Sequence, residues 1–490
     1  MAGGRRPEGE PVTGYDVVVI GGGPSGSTVA TFVAMQGHRV LLLEKEKFPR
    51  YQIGESLLPS TVNGICRLLG VSDALARAAF PIKRGGTFRW GRNEEPWTFA
   101  FGLSPLLSGD SATAYQVRRM EFDQILLDNA RANGVEVREQ VTVTGVVEDE
   151  TGRITGVLTD DGSGPRTEIR AKWVVDASGH TSRTHRHVGG ERHYAEFFRN
   201  LALFGYFEGG KRLPAPNSGN ILAAAFRSGW FWYIPLSDTL TSVGAVLRPE
   251  ALDRVHGDRE KLLHELIAEC PIIADHLREA RRVTQGPYGE IRVRKDWSYL
   301  KDGFTRPGMI LVGDAACFID PVFSSGVHLA TLSALLAARS INTMLAGTVG
   351  ESDCLAEFES RYRREYQVFH DFLVAFYDTN QDEDSYFWKA KRISGDGAAV
   401  PAESFVELVG GIASREQALI DAVDRAVAVA GEDRDLLSAP QMRGVLREGV
   451  RVQVQAAVGG NADEQVPVRP GGLVPSADGM HWARPAVVTS

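Results

Sequence analysis

The chain has 490 residues, enough for two or three packed domains rather than one core. Its 43% hydrophobic and 24% charged residues are those of an ordinary globular protein, and a net charge of -8 without a basic tract argues against a nucleic-acid binder. Cys66, Cys270, Cys317 and Cys354 are scattered with no paired CxxC, so neither a disulfide framework nor a metal site is expected, and a cytoplasmic setting is.

At the amino terminus, the two arginines within Met1–Glu10 precede no apolar stretch, so no signal peptide is expected. No later apolar run reaches bilayer length, and no membrane contact is expected. Tyr15-Asp16-Val17-Val18-Val19-Ile20 is a mostly β-branched run, the pattern of a buried parallel strand. Gly21, Gly23 and Gly26 then fill G-x-G-x-x-G, with Pro24 and Ser25 inside it. Ser27 to Gln36 reads as a helix stopped by Gly37, and Arg39 to Leu43 as a second strand ending at Glu44-Lys45. The first glycine permits a tight turn, the second lets a pyrophosphate approach the backbone, and the third packs helix on strand. The phosphates then lie at the positive end of the helix, and Glu44 is placed to bond a ribose. Strand, turn, helix, strand and terminal acid together specify a dinucleotide site.

Phe48-Pro49-Arg50 and Gly54-Glu55-Ser56-Leu57-Leu58-Pro59 come next. Phe80-Pro81-Ile82-Lys83-Arg84-Gly85-Gly86 sets Lys83 between an apolar segment and a glycine turn into an aromatic strand, where a lysine amine is poised for chemistry. Arg84 is its rival. Arg119 lies in Gln116–Asp123, and Lys172–Gly179 is an apolar strand closing in small residues. On a strand through Gly229–Pro235, Trp230 and Trp232 share one face, and Phe231 and Tyr233 the other. Asp296 stands in Lys295–Tyr299, and Gly308–Ala316 is another apolar strand, reaching Asp314. Asp320–Ala330, with Pro321, Phe323, Ser324, Ser325, Gly326 and Val327, opens a helix whose bare N–H groups suit an anion, although both serines also serve as N-caps. From Glu351 the pattern is helical, with Tyr362, Tyr366, Phe369, Phe372 and Phe376 as a core stripe. Phe387 and Trp388 are candidates for a pocket rim. Arg361, Arg363, Arg364, Lys389, Lys391 and Arg392 are candidates for docking an acidic carrier domain. A Gly/Pro-rich stretch from about 459 reads as a loose tail.

The glycine motif and the two later strands resemble the FAD-dependent aromatic hydroxylase superfamily. Within it, Trp230-Phe231-Trp232-Tyr233-Ile234-Pro235 (the W-x-W-x-I-P signature), the Lys83 stretch and the Ser324-Ser325-Gly326 helix start resemble the flavin-dependent halogenases, over about Tyr15 to Trp388. The resemblance implies an α/β fold. A Rossmann-like FAD domain would come from 15–80, 112–185 and 286–350, a mostly antiparallel substrate-side sheet from 81–111 and 186–285, and a helical region from 351–490. It assigns FAD to Gly21, Gly23, Pro24, Ser25, Gly26, Glu44, Lys45, Arg50, Glu55, Ser56, Arg119, Asp314, Pro321, Gly326 and Val327. Trp230, Trp232, Ile234 and Pro235 become a wall between flavin and substrate, and Ser324, Ser325 and Gly326 a halide site.

In the implied reaction, a separate flavin reductase supplies FADH2. With oxygen and chloride or bromide it yields hypohalous acid, which Lys83 relays to an electron-rich aromatic. Phe323 stands where free-tryptophan halogenases carry a glutamate, so a phenol or pyrrole is expected, free or tethered to a carrier protein, as in polyketide and antibiotic pathways. Asp296 is the carboxylate to check for covalent FAD. An NAD(P)H-dependent aromatic hydroxylase and a non-catalytic flavin-binding carrier-interaction protein are the alternatives.

Overall fold

The computed structural model describes residues 14–90, 95–104, 107, 109–378, 406, 408–412, 416, 419 and 472–485. Its first sheet runs Thr305–Arg306, Met309–Leu311, Thr167–Asp176, Tyr15–Ile20, Val40–Glu44, Glu136–Glu139. Every pairing along that path is parallel except the first, a short antiparallel edge. Val17 to Ile20 and Val40 to Leu43 are buried, which is why they read as unbroken apolar runs. Thr142–Glu148 and Ile154–Asp160 extend Thr167–Asp176 as an antiparallel arm. Helix Pro24–Ala34 packs against helices Arg119–Ala132 and Ser325–Ala346.

The second sheet runs Cys317–Phe318, Arg292–Lys301, Arg192–Glu208, Leu240–Leu247, Gly229–Pro235, Ile221–Phe226, Gly85–Arg89, Trp97–Ala100, with Arg281–Arg282 alongside Arg192–Glu208. It is antiparallel apart from the contact of Ile221–Phe226 with Gly85–Arg89. Segment 286–350, expected whole in the nucleotide unit, is therefore divided. Arg292–Lys301 is only partly buried, unlike the buried runs of the parallel sheet, and it ladders antiparallel with Arg192–Glu208.

Two further expectations are corrected. Helix Ser325–Ala346 is long and apolar enough to cross a membrane, with mean hydropathy 1.3, but 78% of that stretch is buried inside the protein, so it is a core helix. Residues 472–485 do not form a loose tail. Val474–Pro475 and Trp482–Ala483 pair, and the Trp482 indole Nε1 donates to Ser340 Oγ at 2.8 Å. The stripe from Tyr362 to Phe376 is buried in helix Glu351–Asp378. Phe387, Trp388, Lys389, Lys391 and Arg392 lie outside the described residues.

Candidate active site

The glycine loop joins Tyr15–Ile20 to helix Pro24–Ala34. Gly21 has φ 101°, and a Cβ on Gly26 would stand 1.9 Å from the Gly21 carbonyl oxygen, so only glycine closes this turn. No side chain among the described residues caps the helix and its first turn carries no acid, which leaves its N–H groups free for an anion. Glu44 accepts from the Gly22 and Glu46 N–H groups at 2.7 and 2.8 Å, which aims its carboxylate at the loop. Lys45 is exposed near Glu46. Arg50 and Arg119 share the buried Asp123 at 2.7 Å each, and Arg119 also donates to the carbonyls of Ile53 and Gly54. Asp314 is half-buried, and the desolvation raises its carboxyl to about 6 against the pull of Arg119, Arg294 and Arg192. This set of basic groups, glycines and acids fits FAD.

Lys83 sits on the short strand Ile82–Lys83, where alternation turns it inward and leaves Arg84 exposed. Its ammonium donates to the Leu57 carbonyl at 3.0 Å, and Nζ lies 3.4 Å from Ser324 Oγ and 5.6 Å from the Phe101 ring centre. Burial alone lowers this amine to about 7. Ser324 takes a left-handed φ of 62°, an uncommon conformation for a side-chain-bearing residue. Ser325 Oγ is buried with no hydrogen-bond partner among the described residues, and the position above Gly326 is open. The fold thus brings Lys83 and the serine loop together from distant parts of the chain.

Trp230, Trp232 and Ile234 face one core, while Phe231 and Tyr233 face a second. The indoles lie 6.3 Å apart, and Trp232 Nε1 donates to Ser242 Oγ. Trp90 extends the row, 6.3 Å from Trp230 and 4.8 Å from Phe376. Phe323 packs against Phe88, Phe372 and Phe376. Pro235 closes the strand.

Arg292, Arg294, Tyr51, Tyr206 and Tyr377 were missed here, while Asp296, Glu55 and Ser56 had been singled out. Arg292, Arg294 and Asp296 share one face of their strand, a signal present in the R-x-R-x-D spacing. Both Asp296 carboxyl oxygens lack partners among the described residues, and burial together with the neighbouring Asp320 pushes this acid well up. Asp320 is itself raised to about 6 by burial, with the Tyr377 hydroxyl and Val322 N–H donating to it. Tyr51, Tyr206 and Glu55 form a hydrogen-bonded chain, in which burial raises Glu55 to about 7. Ser56 bridges to Gln116 beside it. Two of the candidate docking arginines are engaged within the fold: Arg361 bonds Glu357 and the Leu473 carbonyl, and Arg363 bonds Glu359.

The tryptophan halogenase family profile matches residues 16–109 and 106–418. The chain is 34% identical over 410 residues to the tryptophan 2-halogenase of Chondromyces crocatus, covering 83% of this chain and 76% of that one. It is 33% identical over 378 residues to the flavin-dependent halogenase gsfI of Penicillium aethiopicum, covering 72% and 69%. Among solved structures, the myxobacterial chondrochloren halogenase CndH, a variant of FAD-dependent halogenases, is similar with a TM-score of 0.78 and 51% identity over 96% of this chain and 99% of that one. Halogenase PltM bound to phloroglucinol and FAD, at 19% identity and TM-score 0.63, shares the fold. Matched over most of its length, the chain belongs to the tryptophan halogenase family and is a flavin-dependent halogenase.

Proposed function

We propose that this enzyme halogenates an electron-rich aromatic ring, a phenol or pyrrole, with an oxidised chlorine or bromine held at the Lys83 amine. The observation that carries this reading is a buried lysine whose ammonium meets no acid among the described residues, suspended between the Leu57 carbonyl and Ser324 Oγ. FAD, when bound and reduced by a separate flavin reductase, supplies with oxygen the oxidising equivalents that turn halide into hypohalous acid. The glycine loop and helix start would hold its pyrophosphate, Glu44 its adenosine ribose and Asp314 its ribityl chain. Lys45, Arg50, Glu55, Ser56 and Arg119 would line its site, with Pro321, Gly326 and Val327 toward the ring. Halide would rest at Ser324, Ser325 and the Gly326 N–H.

An amine near neutrality at pH 7 serves in either form. As ammonium it donates a hydrogen bond to the oxygen of hypohalous acid. As free amine it takes the halogen, forming an N–halogen bond and releasing water. The aromatic ring then attacks the halogen, its proton leaves, and the amine is restored. Trp230, Trp232, Ile234 and Pro235 keep the ring from the flavin and water from the oxidant. Phe323 puts an apolar surface where a tryptophan substrate would want a carboxylate, which favours the phenol or pyrrole, free or carrier-tethered. The Chondromyces relative's name keeps tryptophan as the second substrate to try. Asp296, with both oxygens unpartnered among the described residues, is the candidate for covalent FAD attachment, and mass spectrometry of the denatured protein tests that. Four buried free cysteines suit a cytoplasmic setting.

The deciding assay incubates the enzyme with reductase, chloride or bromide, and phenols, pyrroles and tryptophan, free and carrier-bound, with products read by mass spectrometry. Lys83→Ala is expected to keep FAD and lose product. Full turnover in that variant would remove Lys83 from the reaction.

A further inference from the structure

A second polar cluster lies behind the lysine. His328 Nδ1 is 2.9 Å from Ser60 Oγ, and its Nε2 is 2.8 Å from Glu365 Oε1. Ser60, His328 and Glu365 are buried almost completely, at 1%, 0% and 1% exposure, so no substrate reaches this trio and it is not a hydrolytic triad. Its placement is what matters. Ser60 begins three residues after Leu57, whose carbonyl accepts from Lys83. His328 stands one helical turn after Ser324, whose hydroxyl flanks the same amine. Glu365 comes from a third segment, helix Glu351–Asp378.

The cluster is also closed from above. The Ser60 N–H donates to the Gly410 carbonyl at 3.1 Å. A Cβ on Gly411, whose φ is 76°, would fall 2.1 Å from Ser60 Oγ and 3.0 Å from His328 Nδ1. Backbone therefore lies directly on the hydrogen-bonded pair, and neither side chain has room to turn away. The Phe369 ring packs against the imidazole, with centres 5.5 Å apart.

We propose that Ser60, His328 and Glu365 are positioning residues that fix the separation of the two segments cradling the Lys83 amine. The chain of hydrogen bonds ties 57–60 to 324–328 and anchors both to the helix that carries Glu365. Without it the two segments remain joined by packing and by the Lys83 ammonium itself, the gap between the Leu57 carbonyl and Ser324 widens, and water reaches the amine. This rests on the Lys83 reading for its catalytic consequence but not for its geometric one.

The test uses the full-length, FAD-loaded enzyme and four variants: Ser60→Ala, Glu365→Leu, Glu365→Gln and Lys83→Ala. The Glu365→Gln variant can complete the chain with either imidazole tautomer, since a side-chain amide both accepts and donates. Unfolding temperature and FAD titration establish that each variant is folded. Two readouts follow: the rate at which a small acylating reagent modifies Lys83, followed by peptide mass spectrometry, and the share of hypohalous acid escaping to a soluble thioether scavenger. Ser60→Ala and Glu365→Leu are expected to speed Lys83 acylation at least tenfold and raise oxidant escape, while Glu365→Gln keeps the wild-type acylation rate. Should Glu365→Leu fail to fold, Ser60→Ala alone carries the comparison. Wild-type acylation in Ser60→Ala, or equal acceleration in Glu365→Gln and Glu365→Leu, would overturn the proposal. Faster Lys83 acylation in Ser60→Ala, together with undiminished halogenation by the separate Lys83→Ala variant, would retain the positioning chain and reject the relay instead.

Discussion

Lys83 carries a stability signature as well as its proposed chemical role. Its folded amine is held near 7, against 10.5 when unfolded, because burial penalises the charge. Between those values the unfolded chain binds more protons, so stability contributed by this site rises with pH across that window, by about 1.4 kcal/mol per unit at most. Lys83→Met keeps the apolar stem and removes the charge. Chemical denaturation at pH 7 to 9 is expected to give a flatter profile in the variant and greater stability at pH 7. Parallel profiles would mean that the amine stays charged in the fold. The burial of Lys83 was legible from its apolar neighbours and glycine turn, its chemical role was implied by the family resemblance alone, and the turn from Gly21 to Gly26 was legible from spacing. Ser60 and His328 were not, because partners 268 residues apart leave no local pattern. Arg192 and Arg294 gather at Asp314 for the same tertiary reason.

At the scale of elements, strand type was readable where burial is one-sided or complete. The Tyr15–Ile20 run and the two faces of Gly229–Pro235 follow from that rule directly. Arg292–Lys301 escaped it, since its assignment depends on which neighbour it ladders with. The loop from Gly21 to Gly26 gives the sharpest test of an element. Gly26→Ala places a methyl 1.9 Å from the Gly21 carbonyl and must pry helix Pro24–Ala34 from its strand. Fluorescence titration is expected to show FAD affinity at least tenfold weaker in a folded variant. Unaltered affinity would mean that the turn opens without cost.

For the molecule as a whole, the carboxyl-terminal hairpin is part of the core. Trp482 is 2% exposed, its N–H groups bond Ser340 and Thr343, and Arg339 and Arg361 lie over its ring. Trp482→Ala is expected to cost about 3–5 kcal/mol in denaturant unfolding; a loss under about 1 kcal/mol would show the hairpin to be dispensable. Its docking point lies on the far turns of Ser325–Ala346, the same helix whose first turn meets Lys83. At 1.5 Å per residue, those 22 residues form a rod of roughly 33 Å. A rod buried over most of its length has no cheap way to open in the middle. Its interior amides should therefore trade hydrogen for deuterium only through global unfolding, so that the turn beside Lys83 rests on a support that does not open locally.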